Sequence, residues 1–190
     1  MIIVKAQLKS VSPYSQSKHY DVPKLNDEES PRDYEHRTWR ERCHRDHKTK
    51  KVLIPPMAFK KALEEGAKHA NMKIEGEGQA KYTKHFERGV AVLTPVVLSV
   101  KVDDVEGEWL FVPSNGVTGA GKRVSKCFPL IPEWEGTVVF HILDDKITEA
   151  IFKRALEAAG KFIGIGRFRP INRGYYGRFE VVSISWQPDN

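Results

Sequence analysis

The chain has few cysteines and no long apolar run. Its 190 residues include only two cysteines, Cys43 and Cys127, which is too few for the disulfide framework of a small secreted protein. The apolar run at residues 1–4 is too short for a signal peptide, and no segment approaches the roughly 20 apolar residues of a membrane helix. We therefore expect a cytoplasmic protein, in a bacterium or an infected cell, with no membrane partner.

Acidic residues are absent from the segment 162–179, although the chain as a whole is rich in charge. Lysines and arginines number 31 against 25 acids, which gives a net charge of +6. This modest excess is clustered, because residues 32–51 hold eight basic and four acidic side chains and residues 122–126 form another basic group. Separate basic segments favour a polyanion over a small-molecule ligand.

The segment 162–179 combines glycines, arginines and aromatic residues. Glycine allows unusual backbone conformations and close approach, arginine suits phosphate and stacks on bases, and aromatic rings stack on unpaired bases. A helical pattern precedes the segment and a strand pattern follows it, so we predict a structured loop that binds nucleic acid. Its predicted binding residues are Gly164, Gly166, Gly174, Gly177, Arg167, Arg169, Arg173, Arg178, Tyr175 and Tyr176. Further basic residues predicted to extend the groove are Lys122, Arg123, Lys126, Arg37, Arg40, Arg42 and Arg45.

Apolar periodicity predicts a regular order of elements. The predicted strands are 2–8, 90–102 with a return at 109–112, 137–143 and 179–186, and the predicted helices are 56–72 and 145–160, the latter capped by Asp144 or Asp145. Residues 113–130 are predicted to be a long loop, and a further helix is weighed for residues 33–47 within the irregular segment 9–52. The order is that of a ferredoxin-like α+β fold, with two helices on one face of an antiparallel sheet. We expect one domain, 1–190, with insertions at about 9–52 and 103–135.

The glycine–arginine segment resembles the signature of the CRISPR-associated RAMP superfamily. The residues that carry the resemblance are those of Gly-x-Gly-Arg-x-Arg at 164–169 and Gly-Tyr-Tyr-Gly-Arg-Phe at 174–179, which leads directly into a strand. The resemblance implies a ferredoxin-like RNA-backbone subunit that binds RNA and assembles head-to-tail or within a ribonucleoprotein. Residues 113–186, notably 127–134, are also similar to uncharacterised proteins encoded by phages and prophages.

Three functions remain open from the sequence. The first is a non-catalytic protein that binds single-stranded RNA or DNA, with RNA favoured by the resemblance alone. The second is a metal-independent endoribonuclease, in which His44, His47 or His85 would act on the 2′-hydroxyl by acid–base chemistry. The third is a phage-encoded interaction protein that binds or mimics a subunit of a host CRISPR complex.

Two other patterns do not predict a cofactor. His36, Cys43, His44 and His47 are zinc-ligand types, but their spacing matches no common zinc finger and arginines lie between them. The segment 119–122 lacks the complete phosphate-binding loop pattern. We therefore predict neither a metal nor a nucleotide cofactor. Trp109, Phe111, Trp134 and Trp186 are predicted to be core or sheet residues rather than base-stacking platforms.

Overall fold

The structure, a computed structural model, describes residues 1–114, 119 and 121–188. Its strands are β1 (Ile2–Ser10), β2 (Tyr14–Ser15), β3 (Lys51–Ile54), β4 (Val90–Val92), β5 (Val96–Lys101), β6 (Glu106–Pro113), β7 (Arg123–Ile131), β8 (Glu135–Ile142) and β9 (Phe179–Pro188). Its helices are α1 (Pro31–Thr38), α2 (Pro56–Ala70), α3 (Thr83–Gly89) and α4 (Glu149–Ala158). Among these described residues, no helix has the length and apolar character needed to cross a membrane.

Four of the strands form one antiparallel sheet in the order β4-β8-β1-β9. Strand β1 lies in its interior, where residues 2–9 pair with residues 142–135 of β8 and the opposite edge pairs with β9. Helix α2 lies in sequence between β1 and β4, and helix α4 lies between β8 and β9. This is the ferredoxin-like order of elements, so the predicted fold class is confirmed.

The side chains of β1 show which face of this sheet is covered. Val4, Ala6 and Leu8 are fully buried, whereas Lys5 and Lys9 are exposed. Successive strand residues point to opposite faces of a sheet. The apolar set therefore faces the helices, and the lysines lie on the open face.

Helices α2 and α4 pack against each other on the covered face. At Gly66 of α2 the two backbones are so close that a Cβ atom would lie 2.5 Å from the carbonyl oxygen of Ala155. Phe152 of α4 packs edge-on against Phe140 of β8, with ring centroids 5.1 Å apart. The apolar stripe of α2 is buried along its length, at Phe59, Ala62, Leu63 and Ala67. The prediction of two helices on one face of an antiparallel sheet is confirmed.

Helix α4 begins later than the sequence predicts. Its N-cap is Thr148, whose side-chain oxygen accepts a hydrogen bond from the backbone N–H of Ile151. Asp144, predicted as a capping residue, instead lies 2.7 Å from Nδ1 of His85. The helix therefore starts at Glu149 rather than at 145, and a π-helical turn, Ala159–Ile163, follows it.

The two segments inserted into the ferredoxin-like core pair with each other. The first insertion, between β1 and α2, contains β2, α1 and β3, and the second, between β4 and β8, contains β5, β6 and β7. Strand β2 pairs with β7, and β3 pairs with β5. Strands β6 and β7 pair along their length to form an antiparallel hairpin, called the hairpin below. The insertions therefore form a second structured layer beside the core.

The sequence analysis was wrong about three details of these insertions. Within the predicted loop at 113–130, residues 123–130 belong to strand β7, whereas residues 115–118 and 120 lie outside the described part of the chain. The return at 109–112 pairs with β7 rather than with 96–102. The helix weighed for 33–47 ends at Thr38 and continues only as a 3₁₀ turn, Trp39–Arg42. Basic residues and a proline interrupt the apolar alternation of β7, which hides its strand pattern.

The packing of Phe152 gives a stability prediction. Phe152→Ala removes a fully buried ring between α4 and the sheet, so we expect the free energy of unfolding to fall by about 3–5 kcal/mol. Phe162→Ala is the matched control because Phe162 is 44% exposed and stacks on His69 at the surface, and its loss should stay below about 1 kcal/mol. Urea unfolding followed by circular dichroism measures both. Equal losses in the two variants would contradict the packing described here.

Candidate nucleic-acid interface

A cleft of about 730 Å³ lies between residues 17–20, helix α1 and strand β7. Basic residues form much of its lining: Lys18, His19, Arg32, Arg42, Arg123 and Lys126. Its aromatic lining residues are Tyr20, Tyr34 and Phe111. Among the described lining residues the one acid is Glu35, whose charge is paired with Arg42. Cations interleaved with aromatic rings suit a polyanion that carries flat bases.

The cleft exists because strand β2 leaves the edge of β7 early. Strand β2 pairs with β7 only at residues 130 and 131. Residues 17–20 then form the opposite wall of the cleft, while residues 123–126 of β7 line it from the other side. Residues 123–126 therefore line the cleft along an edge that no described strand occupies.

The floor of the cleft is a buried ion pair. Arg42 donates two hydrogen bonds to Glu35, at 2.7 and 3.1 Å, and one to the carbonyl oxygen of Cys127 at 3.0 Å. Its guanidinium also lies 5.1 Å from the ring centroid of Tyr20 and 5.2 Å from that of Phe128. Arg42, predicted from the sequence as a nucleic-acid ligand, therefore makes three hydrogen bonds inside the protein.

Exposed aromatic rings occupy the outer part of the hairpin. Phe111 is 62% exposed, and the guanidinium of Arg123 lies 5.7 Å from its ring centroid. Trp109 is 41% exposed and packs against His36, with ring centroids 4.2 Å apart. The sequence analysis placed both aromatics in the core or in a sheet. They lie in strand β6, where Phe111 is the more exposed ring and the ring of Trp109 is partly covered by His36.

The glycines of residues 164–178, called the glycine loop, are explained by contacts within the protein. Gly166 has φ +77°, and a Cβ atom there would lie 2.4 Å from the carbonyl oxygen of Ser15. A Cβ atom at Gly174 would lie 1.7 Å from the carbonyl oxygen of Phe168. Glycine is the residue that tolerates both the positive φ and the close approach. The predicted structured loop is therefore present, and its glycines allow it to pack on itself and on β2.

Arg167 is directed into the protein rather than toward solvent. Its guanidinium bonds Glu108 at 2.6 Å and the hydroxyl of Ser15 at 3.1 Å, and it lies 4.0 Å from the ring centroid of Phe128. Burial lowers the pKa of Arg167, although Glu108 counteracts this effect. Burial also raises the pKa of Tyr176, whose hydroxyl bonds Glu108 as well.

The other arginines of the glycine loop differ in how they are engaged. Arg178 donates to the carbonyl oxygens of Lys161 and Tyr175, at 3.2 and 3.3 Å. Arg173 is exposed and Arg169 is half-buried. Neither makes a side-chain hydrogen bond or ion pair with any residue that the structure describes, so both charges remain available to a ligand.

The predicted basic residues around α1 are mostly paired. Arg37 bonds Glu29 at 2.8 Å and Arg45 bonds Glu41 at 2.6 Å. The guanidinium of Arg40 lies 4.1 Å from the ring centroid of Trp39. These three side chains therefore have local partners. Of the other predicted residues, Arg123 donates to the carbonyl oxygen of Phe111 at 3.2 Å, and Lys122 and Lys126 lie beside and on the outer part of β7.

The three candidate catalytic histidines are not brought together. His44 is half-buried in a separate pocket of about 270 Å³, where burial and the nearby Lys18 lower its pKa. His47 is exposed in the turn before β3. His85 bonds Asp144, which lies just beyond the end of β8. The end of β8 pairs with the start of β1. The cleft, in contrast, is built from segments that follow the end of β1. The structure thus places His85 at the opposite end of the sheet from the cleft.

Sequence reasoning missed several lining residues of the cleft. Lys18, His19 and Tyr20 were assigned only to an irregular segment, and Arg32 was counted only in the basic cluster. A basic and aromatic tripeptide, at residues 18–20 of the irregular segment, was the available signal. The tripeptide lines a cleft only because β7 lies opposite it, and the sequence pattern did not predict β7.

No protein-family model and no curated protein matches the chain. Among solved structures it is similar to a chain in the cryo-EM structure of the Type III-B Cmr-beta bound to cognate target RNA, with a TM-score of 0.50 and 12% sequence identity. The match covers 98% of this chain and 60% of the other, so this chain spans about three-fifths of that neighbour's length. At this identity the likeness shows the fold alone. It agrees with the ferredoxin-like fold described above.

The buried floor of the cleft gives a second stability prediction. Glu35→Gln leaves the buried Arg42 without its counter-ion, so we expect unfolding free energy to fall by about 3–5 kcal/mol. Glu41→Gln is the control because its pair with Arg45 is partly exposed, and it should cost at most about 1 kcal/mol. Thermal unfolding of both variants tests this difference. A Glu35→Gln protein as stable as the control would show that the pair does not support the floor.

Proposed function

We propose that this protein binds single-stranded nucleic acid in the cleft beside β7, without cleaving it. The observation that carries the proposal is the lining of that cleft. Four cationic side chains, one histidine and three aromatic rings line it, and the fifth cation, Arg42, is paired with the one acidic lining residue. Phosphates would contact the four other cations, and unpaired bases would stack first on Phe111, the most exposed of the rings.

Phe111 is the first aromatic platform in this proposal. Its exposed ring lies beside the guanidinium of Arg123, so a base stacked on the ring would place its phosphate near that cation. Lys126 lies further along the same strand. A nucleic acid that follows the open edge of β7 would thus meet Phe111 and Arg123 on one face of the hairpin and Lys126 on the other.

The glycine loop extends the proposed binding surface. Ser17 lines both the cleft and the adjacent pocket that contains Gly166 and His44. Arg169 and Arg173 would add cations there, and Tyr175, which is largely exposed, would add a stacking face. A nucleic acid that leaves the cleft past Ser17 would reach this loop, which connects the predicted basic segments into one surface.

RNA is the proposed nucleic acid, and assembly along the strand is part of the proposal. The neighbour of similar fold was solved bound to cognate target RNA, which supports RNA over DNA and a place in a ribonucleoprotein. Several copies bound side by side on one RNA would give a stoichiometry that rises with RNA length. A fixed ratio of one protein per RNA, whatever its length, would restrict the proposal to a single bound copy.

The cleft residues can be tested by a charge-matched comparison. Replacing Arg32, Arg123 and Lys126 with alanine should weaken binding to a labelled single-stranded RNA by about tenfold or more. It should also lower the slope of log affinity against log salt by about 2, since each phosphate contact on a single strand contributes about 0.7. Fluorescence anisotropy at several salt concentrations measures both quantities.

The control replaces Arg88, Lys153 and Arg154, which are exposed on helices α3 and α4. Both variants lose two arginines and one lysine, so a non-specific charge effect predicts equal losses of affinity. Equal losses, or binding that ignores salt, would contradict a site in the cleft. Shortened RNA in the same samples would instead favour the endoribonuclease. Absence of RNA binding, together with nuclease-resistant association with a host ribonucleoprotein, would favour the interaction protein.

A further inference from the structure

Glu108 joins the hairpin to the glycine loop. It lies in β6 and accepts hydrogen bonds from the guanidinium of Arg167, at 2.6 Å, and from the hydroxyl of Tyr176. Both partners belong to the glycine loop, 59 and 68 residues further along the chain. One carboxylate therefore connects the second insertion to the segment that precedes the last strand.

Arg167 connects the same loop to two further strands. Its Nε donates to the hydroxyl of Ser15 in β2, and its backbone N–H donates to the carbonyl oxygen of Ser15 at 2.9 Å. Its guanidinium packs on Phe128 of β7, and the Ser15 hydroxyl donates to the carbonyl oxygen of Pro129 at 2.8 Å. Arg167 is thus a common contact for β2, β6 and β7.

These contacts lie near the base of the hairpin, whereas the proposed ligand-binding groups lie further out. Phe111 is three residues beyond Glu108 in β6, which corresponds to roughly 10 Å along an antiparallel strand. Lys126 and Arg123 occupy the corresponding part of β7. A small change of direction at the base would move these side chains relative to α1 and would alter the width of the cleft.

We propose that Glu108, Arg167 and Tyr176 form a clamp that fixes the hairpin against the glycine loop and so positions the cleft for nucleic acid. This inference rests on the proposed function for its effect on affinity. Arg167 acts in it as a positioning residue rather than as a phosphate ligand. Its charge is half-buried and paired, so it offers little to a phosphate unless the clamp opens.

The direction in which one substitution changes the binding affinity distinguishes the clamp from a purely electrostatic effect. Glu108→Gln removes a negative charge near a bound polyanion, so charge alone predicts equal or tighter binding. Loss of the clamp predicts weaker binding instead, by about tenfold, as expected when a partly buried charged hydrogen bond is lost. Glu106→Gln is the matched control, because it makes the same charge change at an exposed position on the same strand. It should bind as tightly as the unmodified protein.

The salt dependence of binding tests the role of Arg167. Arg167→Ala should weaken binding while leaving the slope of log affinity against log salt unchanged, because no phosphate contact is lost. Arg123→Ala should lower that slope by about 0.7. A slope lowered equally by both substitutions would make Arg167 a phosphate ligand and overturn the clamp. Glu108→Gln binding as tightly as Glu106→Gln would also overturn it.

Hydrogen exchange on the protein without nucleic acid tests the clamp independently of function. Glu108→Gln should speed exchange of the backbone amides of β6 and β7 relative to Glu106→Gln, while β1 and β8 remain protected. Tyr176→Phe, which removes only the hydroxyl, should produce a smaller increase in the same strands. Unchanged exchange in the hairpin would overturn the clamp even if RNA binds, whereas faster exchange would support it even if RNA does not bind.

Discussion

A strand with an unpaired edge has backbone N–H and C=O groups that need partners, and leaving one buried without a partner costs about 1–3 kcal/mol. At Cys127 in β7 these partners are side chains from the first insertion. Glu35 accepts from the N–H of Cys127 at 2.8 Å, and Arg42 donates to its C=O at 3.0 Å. Because Glu35 and Arg42 also neutralise each other, two charges are buried together. This requirement holds α1 against the hairpin and so determines where the cleft has its floor.

The ferredoxin-like core could be predicted from the sequence because each element carries its own periodic signal. Val4, Ala6 and Leu8 alternate with polar residues in β1, and α2 has an apolar stripe at helical spacing. Strands β2 and β7 of the insertions lacked this signal. Strand β7 contains Lys126 and Pro129, and β2 has only two residues. These strands are stabilised by pairing across insertions, and such pairing depends on residues distant in the sequence.

The candidate site was predictable in composition but not in the role of each residue. Clustered charge drew attention to Arg123 and Lys126, which line the cleft. It could not distinguish them from Arg42 and Arg167, whose acids are buried beside them only in the folded chain. Residue type gives the sign of a charge, whereas availability to a ligand depends on what the fold places next to it. The glycine loop illustrates the same limit, because its glycines serve packing inside the protein.

The pairing between the two insertions also has a consequence for the order in which the protein is completed during synthesis. The hydroxyl of Ser15 bonds Pro129, 114 residues later, and Arg167 reaches Ser15 across 152 residues. Contacts this distant require closure of long loops, which costs chain entropy and slows folding. On the ribosome, the first basic segment, residues 32–51, therefore has no opposite wall until β7 has been synthesised. The hairpin that forms this wall is not anchored until the glycine loop has been synthesised. An incomplete chain carries the basic residues at 32–51 but not a formed cleft.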